Sequence, residues 1–237
     1  MIRLGVNVDH VATLRQARGT VFPDPILAAR RCEHAGCNSI IAHLREDRRH
    51  IDDHDVQRLR RVITTEFNLE MSVARDIVDI AKRIKPDKAT LVPERRKELT
   101  TEGGLDLTGS FAKIKNTVAQ LEGCGIEVSL FINPDKRSLN LAKDTGARSI
   151  ELHTGRYADA PENEKVRELK RLEDAAKYAR KLEMFVAAGH GLNYDNVKPV
   201  VSIREIEEFN IGHSIICRSV FVGIERSVKE MLGLIRK

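Results

Sequence analysis

Short apolar runs, each ending abruptly in a polar residue, recur along the chain. In order they are Leu4-Gly5-Val6-Asn7-Val8-Asp9-His10, Ile40-Ile41-Ala42-His43-Leu44-Arg45, Asn68-Leu69-Glu70-Met71, Thr90-Leu91-Val92-Pro93-Glu94, Val128-Ser129-Leu130-Phe131-Ile132-Asn133, Ile150-Glu151-Leu152-His153, Val186-Ala187-Ala188-Gly189-His190 and Phe209-Asn210-Ile211-Gly212-His213. Runs of this kind read as strands covered on both faces. Helical periodicity fills the intervals at residues 24–36, 53–65, 73–84, 110–124, 135–145, 162–182, 193–201 and 214–236. Asp53 opens a capped stretch, Asn193 and Ser214 are candidate N-caps, and glycines in Ala35-Gly36, Gly123-Cys124-Gly125 and Thr145-Gly146 close helices before the next strand. Parallel strands joined by helices place their C-terminal ends on one face, so the terminal polar groups should meet there.

Eight such units in 237 residues average about thirty residues each, which predicts a (β/α)8 TIM barrel with extended βα loops and small additional helices. An open doubly wound sheet would carry a glycine-rich turn after the first strand, and Asn7-Val8-Asp9-His10-Val11-Ala12 has none. No linker or shift in composition divides the chain, which reads as a single domain over residues 1–237. The segments after strands one, two and four are longer than turns require, and the last, Glu94 to Asp106, has adjacent glycines at Gly103 and Gly104 that could hinge a lid. Strand five brings the least to the active face.

Composition narrows the class. A hydrophobic fraction of 41% suits a soluble globular core, and no segment has the length of a signal peptide or membrane span, so a cytoplasmic location is expected. The four cysteines fall in or beside helices and read as buried thiols. Cys32-x-His34-x-x-Cys37 lacks the second pair that a structural zinc site needs. A net charge of +5 suits nucleic acid or small anions, but with no Trp and 4% aromatic residues the stacking platforms of an RNA-binding module are missing. Small phosphorylated substrates are the better inference.

Five histidines, His10, His43, His153, His190 and His213, stand at or just past strand ends. Glu70 and Glu151 lie inside apolar runs, where burial would raise their pKa and suit them to proton transfer, unless each is a structural ion pair. Gly189-His190-Gly191 and Gly212-His213-Ser214 follow strands seven and eight, where barrels build a phosphate site from backbone N–H groups. Arg18, Arg45 and His50 can charge a second anion site. The strand-associated lysine, Lys88, is at the wrong end for Schiff-base chemistry, and strand one ends Asp9-His10 rather than His-x-His, so acid–base chemistry with neither metal nor cofactor is expected.

The runs quoted above, together with His43-Leu44-Arg45-Glu46-Asp47-Arg48-Arg49-His50-Ile51, Thr100-Thr101-Glu102-Gly103-Gly104-Leu105-Asp106, Glu151-Leu152-His153-Thr154-Gly155 and Ala188-Gly189-His190-Gly191-Leu192-Asn193, closely resemble the pyridoxine 5′-phosphate synthase family from residue 3 to about 230. The resemblance implies condensation of 1-deoxy-D-xylulose 5-phosphate with 3-amino-2-oxopropyl phosphate, closing the pyridine ring of vitamin B6 with release of phosphate and water. It implies His43 and Glu70 as general bases, His190 as general acid and Glu151 as a stabiliser of charged intermediates. Asn7, Arg18, Gly191, Gly212 and His213 match the aminoketone phosphate site, and Asp9, His10, Arg45, His50 and Thr100 the deoxyxylulose phosphate site. A homo-octamer is implied as well. Asn133 stands where an acidic residue is expected in relatives. The alternative reading is another phosphosugar barrel, an isomerase or lyase with one substrate.

Overall fold

In the computed structural model, which describes residues 1–94 and 103–236, eight parallel strands close on themselves in sequence order. They are β1 (Arg3–Asn7), β2 (Ser39–Leu44), β3 (Glu66–Met71), β4 (Lys88–Leu91), β5 (Glu127–Ile132), β6 (Ser149–His153), β7 (Phe185–Gly189) and β8 (Glu208–Ile211). Closure comes from β1 pairing with β8, Leu4 opposite Phe209 and Val6 opposite Ile211. The sheet therefore has no edge.

The helices are α1 (Asp9–Arg18), α2 (Pro25–Ala35), α3 (Asp53–Val62), α4 (Arg75–Ile84), α5 (Phe111–Glu122), α6 (Lys136–Thr145), α7 (Gly155–Asp159), α8 (Glu162–Lys181), α9 (Val197–Val201), α10 (His213–Val222) and α11 (Ile224–Ile235). Five of them, α1, α7, α9, α10 and α11, depart from the periodic reading. The stretch after strand one, expected as loop, is mostly α1; its buried face includes Asp9 and Arg15 beside only Val11 and Ala12, so hydrophobicity alone does not reveal it. Arg15 is held by two bonds to Asp55, at 2.7 and 2.6 Å.

The final helix is interrupted at Gly223, whose φ of 82° only glycine adopts readily, giving α10 and α11. Asn193 is not a cap: its side chain accepts from the backbone N–H of Asp195 and Asn196 and forms a turn ahead of the short α9. Ser214 lies inside α10, its hydroxyl donating to Leu192 O, while Asp52 rather than Asp53 caps α3 in a reciprocal box with Asp55.

Outward-facing strand residues such as Leu4, Val6, Ile40, Leu69 and Ile150 pack under the helices and are fully buried. Inside, the barrel is polar. Its N-terminal end holds a charge network: Lys88 Nζ lies 2.9 Å from Glu66 and 3.6 Å from Glu127, and Arg3 reaches Glu208 at 2.8 Å. Higher up, Thr90 donates to Asn68. The C-terminal mouth carries the polar strand ends.

Candidate active site

Glycine makes room for the central contact of this mouth. Asn210 on β8 donates to Oε2 of Glu151 on β6 at 2.6 Å, across the intervening β7. A Cβ at Gly189 would overlap Glu151 Oε1, and one at Gly5 would crowd Asn210, Ser39 and Ile41. Side chains at these two positions would close the space in which Glu151 and Asn210 meet. Burial, and then the charge of Glu208, pushes the Glu151 carboxyl up to about 7 against the opposing Asn210 bond and Lys88. Glu70 is also raised well above the usual range, first by burial and then by Glu151 and Asp9. Two carboxyls that cannot both ionise freely share one mouth.

The β1 end supplies the frame around them. Asn7 donates through Nδ2 to Asp9 at 2.8 Å and to Glu70 at 3.4 Å, while its Oδ1 accepts from Asp9 N. Asp9 Oδ1 accepts from the backbone N–H of His43 at 2.8 Å, joining β1 to β2. His43 Nε2 meets Glu94 Oε1 at 2.9 Å, and the other oxygen of Glu94 accepts from Glu46 N. Burial raises Glu94, but His43, Glu46 N–H and Arg45 outweigh it and hold the carboxylate below its ordinary pKa. His50 stands 6.0 Å from His43, ring to ring. Arg45, Glu46, Asp47 and Glu94 line a cavity of about 270 Å3.

On the opposite rim, His190 follows β7 with φ 81°, a left-handed conformation that costs a non-glycine residue about 1–2 kcal/mol. Gly191 and Gly212 permit close approach here, since a Cβ would come within 2.6 Å of Ala158 and 2.8 Å of Asn7 respectively. Gly212 precedes α10, so the N-terminus of that helix follows directly on the C-terminal end of β8, and His213 begins it with its ring 5.0 Å from that of His10. His10, His50 and His190 are all lowered, burial being the main cause in each. Burial thus disfavours the charged form of each ring.

The fold thus brings together Asn7, Asp9, His10, His43, Arg45, His50, Glu70, Glu151, His190, Gly191, Gly212 and His213. Arg18 is outside this web, on the exposed last turn of α1 and about 13 Å along its axis from Asp9. Thr100 and most of the expected lid lie outside the described residues. Asp9, His43 and His50 could converge on a cation, their donor atoms lying within 4.8 Å of one another. Most of that donor set is already hydrogen-bonded: both Asp9 oxygens, His43 Nε2 and His50 Nδ1 have partners.

Three contributors were not legible as such. Asn210 and Glu94 look like ordinary strand-end residues until their partners are known. Strand five, expected to bring the least, supplies Phe131, edge-on to His153 at 5.2 Å and to His190 at 6.5 Å, and Asn133, which accepts from Gly104 N. An aromatic residue facing a barrel mouth was the one available signal.

A closed parallel barrel with this mouth defines a (β/α)8 enzyme. The match to the family "Pyridoxal phosphate biosynthesis protein PdxJ" runs over residues 4–237, and the chain belongs to that family, whose members make vitamin B6. Its relatives include a pyridoxine 5′-phosphate synthase of Synechococcus sp. (strain JA-2-3B'a(2-13)), 55% identical over 98% of this chain and 97% of its own. Another, of Coxiella burnetii, is 53% identical over 99% and 98%. Among solved structures the phosphoribosyl anthranilate isomerase of Thermotoga maritima superposes with a TM-score of 0.64 over 100% of this chain and 99% of its own, at 12% identity. KGPDC from Streptococcus mutans gives 0.67 over 100% of both chains at 14% identity. At such identities the likeness is one of fold.

Proposed function

We propose that this chain is a pyridoxine 5′-phosphate synthase, joining 1-deoxy-D-xylulose 5-phosphate to 3-amino-2-oxopropyl phosphate and closing the ring with loss of phosphate and water. The observation that carries the reading is the convergence of Glu70, Glu151 and His43 on one mouth, with both carboxyls raised in pKa. Addition of an amine to a ketone, dehydration, elimination of phosphate and ring closure need repeated proton transfers by groups that titrate near the working pH. In this scheme His43 and Glu70 take protons, His190 gives them, and Glu151 offsets developing positive charge.

Asn7, Gly191, Gly212 and His213 hold the aminoketone phosphate, the α10 N-terminus facing its dianion, and Arg18, at the exposed far end of α1, completes this set only by moving in toward the mouth. Asp9, His10, Arg45, His50 and Thr100 hold the deoxyxylulose phosphate. We place the reaction in the cytoplasm, where buried thiols such as Cys32 and Cys37 stay reduced. A homo-octamer fits the exposed Leu14, Val21 and Phe22 around α1 and Val220 and Phe221 at the end of α10, apolar surface of the kind subunit contacts cover. Incubation of the purified protein with both substrates should release pyridoxine 5′-phosphate and one phosphate per turnover. Phosphate release with either substrate alone, and no ring product, would overturn the reading in favour of a one-substrate lyase.

A further inference from the structure

The scheme above leaves one buried histidine without work. His153 ends β6 with 4% of its surface exposed, and its Nε2 has no hydrogen-bond partner among the described residues. An unpaired buried polar atom is costly, so it marks a contact that forms at some point in the protein's working cycle. Its ring centre is 5.0 Å from that of His190. Two imidazoles joined by an N–H···N bond of ordinary length have centres about 5 Å apart. The two rings also converge on one point, for a Cβ at Gly155 would lie 2.6 Å from His153 Nε2 and 3.1 Å from His190 Cδ2. Turning the His190 ring over about its Cβ–Cγ bond exchanges Cδ2 for Nδ1 on that side and offers a donor to His153 Nε2.

The residue between them acts on the backbone. Thr154 is fully buried; its N–H donates to Gly189 O at 2.9 Å, and its hydroxyl faces both Gly189 O, at 2.7 Å, and His190 O. These are the carbonyls on either side of the left-handed residue His190. One hydroxyl thus clamps the turn that aims the ring.

We propose that His153 and Thr154 are positioning residues for His190: Thr154 locks the left-handed turn, and His153 Nε2 accepts the hydrogen bond of the protonated His190 ring. The inference rests on His190 being the proton donor of the proposed reaction. His153 suits an accepting role because burial, then His190 and Arg156, pushes it down to about 4, leaving it neutral at working pH. The other groups acting electrostatically on this pair are Asp159 and Arg156 on α7 and His10 on α1, while Phe131 from β5 is uncharged. Of these Asp159 favours the protonated His190, so loss of His153 should weaken the acid without abolishing it.

The test is the pH dependence of kcat in His153→Phe, His153→Gln, Thr154→Val and Thr154→Ser. In His153→Phe the limb on which the general acid deprotonates should move to lower pH by about one unit, and the amide acceptor of His153→Gln should restore most of it. Thr154→Val should lose more than tenfold in kcat with KM for both substrates within about twofold, and Thr154→Ser should recover it. A superimposable pH profile in His153→Phe, or wild-type kcat in Thr154→Val, overturns the proposal. If those variants do not fold, solid-state 15N spectra of the histidine-labelled wild type decide: an unprotonated His153 Nε2 supports it, and a protonated one overturns it. His190→Asn separates the two levels, since full activity there refutes the donor reading itself, whereas an inactive His190→Asn beside fully active His153 and Thr154 variants refutes only the positioning.

Discussion

Glu94 Oε1 lies 2.9 Å from Nε2 of His43, and this one contact fixes which nitrogen of the ring is basic. A carboxylate only accepts, so Nε2 carries the proton and Nδ1 is left free to take one. Glu94→Gln keeps the shape but offers an amide that can present either end, so the tautomer is no longer imposed. The expected result is a fall in kcat of about 10–100-fold with KM little changed. Steady-state kinetics with both substrates varied will check it, and wild-type kcat would refute the assignment of the tautomer.

Glu151 binds its proton more tightly folded, at about 7, than unfolded, at about 4.3. Between those values the folded state holds more protons than the unfolded, so this group's contribution to stability is full below about 4.3 and is lost as pH rises through 7. Glu151→Gln removes that loss and still offers an oxygen to Asn210. The variant should melt higher than wild type at pH 8, by an amount worth a few kcal/mol at most, with little difference at pH 4.5, while turnover collapses. Thermal unfolding at the two pH values measures this, and an equal shift at both would count against a buried, ionising Glu151.

Gly212→Ala places a methyl 2.8 Å from Asn7 Cβ and 3.1 Å from Asn7 O. Neither atom can yield without moving the end of β1, and overpacking of this kind costs about 1–3 kcal/mol. If Asn7 and the α10 N-terminus flank the proposed aminoketone phosphate site, KM for that substrate should rise about tenfold, and KM for the deoxyxylulose phosphate much less. Equal effects on both constants would argue against two separate phosphate sites.

Lys88 serves the opposite end of the barrel. It is buried among Glu66, Glu127 and Glu208, and Glu208 is wholly inaccessible. Lys88→Met leaves those carboxylates with Arg3 but without their buried ammonium and should cost about 3–5 kcal/mol, whereas Lys88→Met combined with Glu208→Gln should recover much of it. Because Lys88 lowers and Glu208 raises the pKa of Glu151, Lys88→Met alone should move the pH profile of kcat upward, while the double variant should stay near wild-type activity per folded molecule. Denaturant unfolding paired with kinetics will separate the effects, and lost kcat in the stable double variant would show that the two mouths communicate.

The eight strands, their order and the polar character of their ends follow from the sequence because a period of short apolar runs is local and survives without neighbours. That pattern predicts the barrel and the residues of the candidate site: His190 and the glycines after strands seven and eight stand at its breaks, and His43, Glu70 and Glu151 interrupt its apolar runs. What the sequence could not hold is anything made by closure. Helix α1 was hidden because a charged residue, Arg15, occupies its buried face and is satisfied by Asp55 and the carbonyl of His50, forty and thirty-five residues on. The meeting of Glu151 with Asn210 across Gly189, the tautomer imposed on His43 by Glu94 fifty-one residues away, and the approach of His10 to His213 across the β1–β8 seam all depend on the barrel closing. The raised carboxyl pKa values belong with them, since burial beside other charges is a property of the assembled mouth and no single strand possesses it.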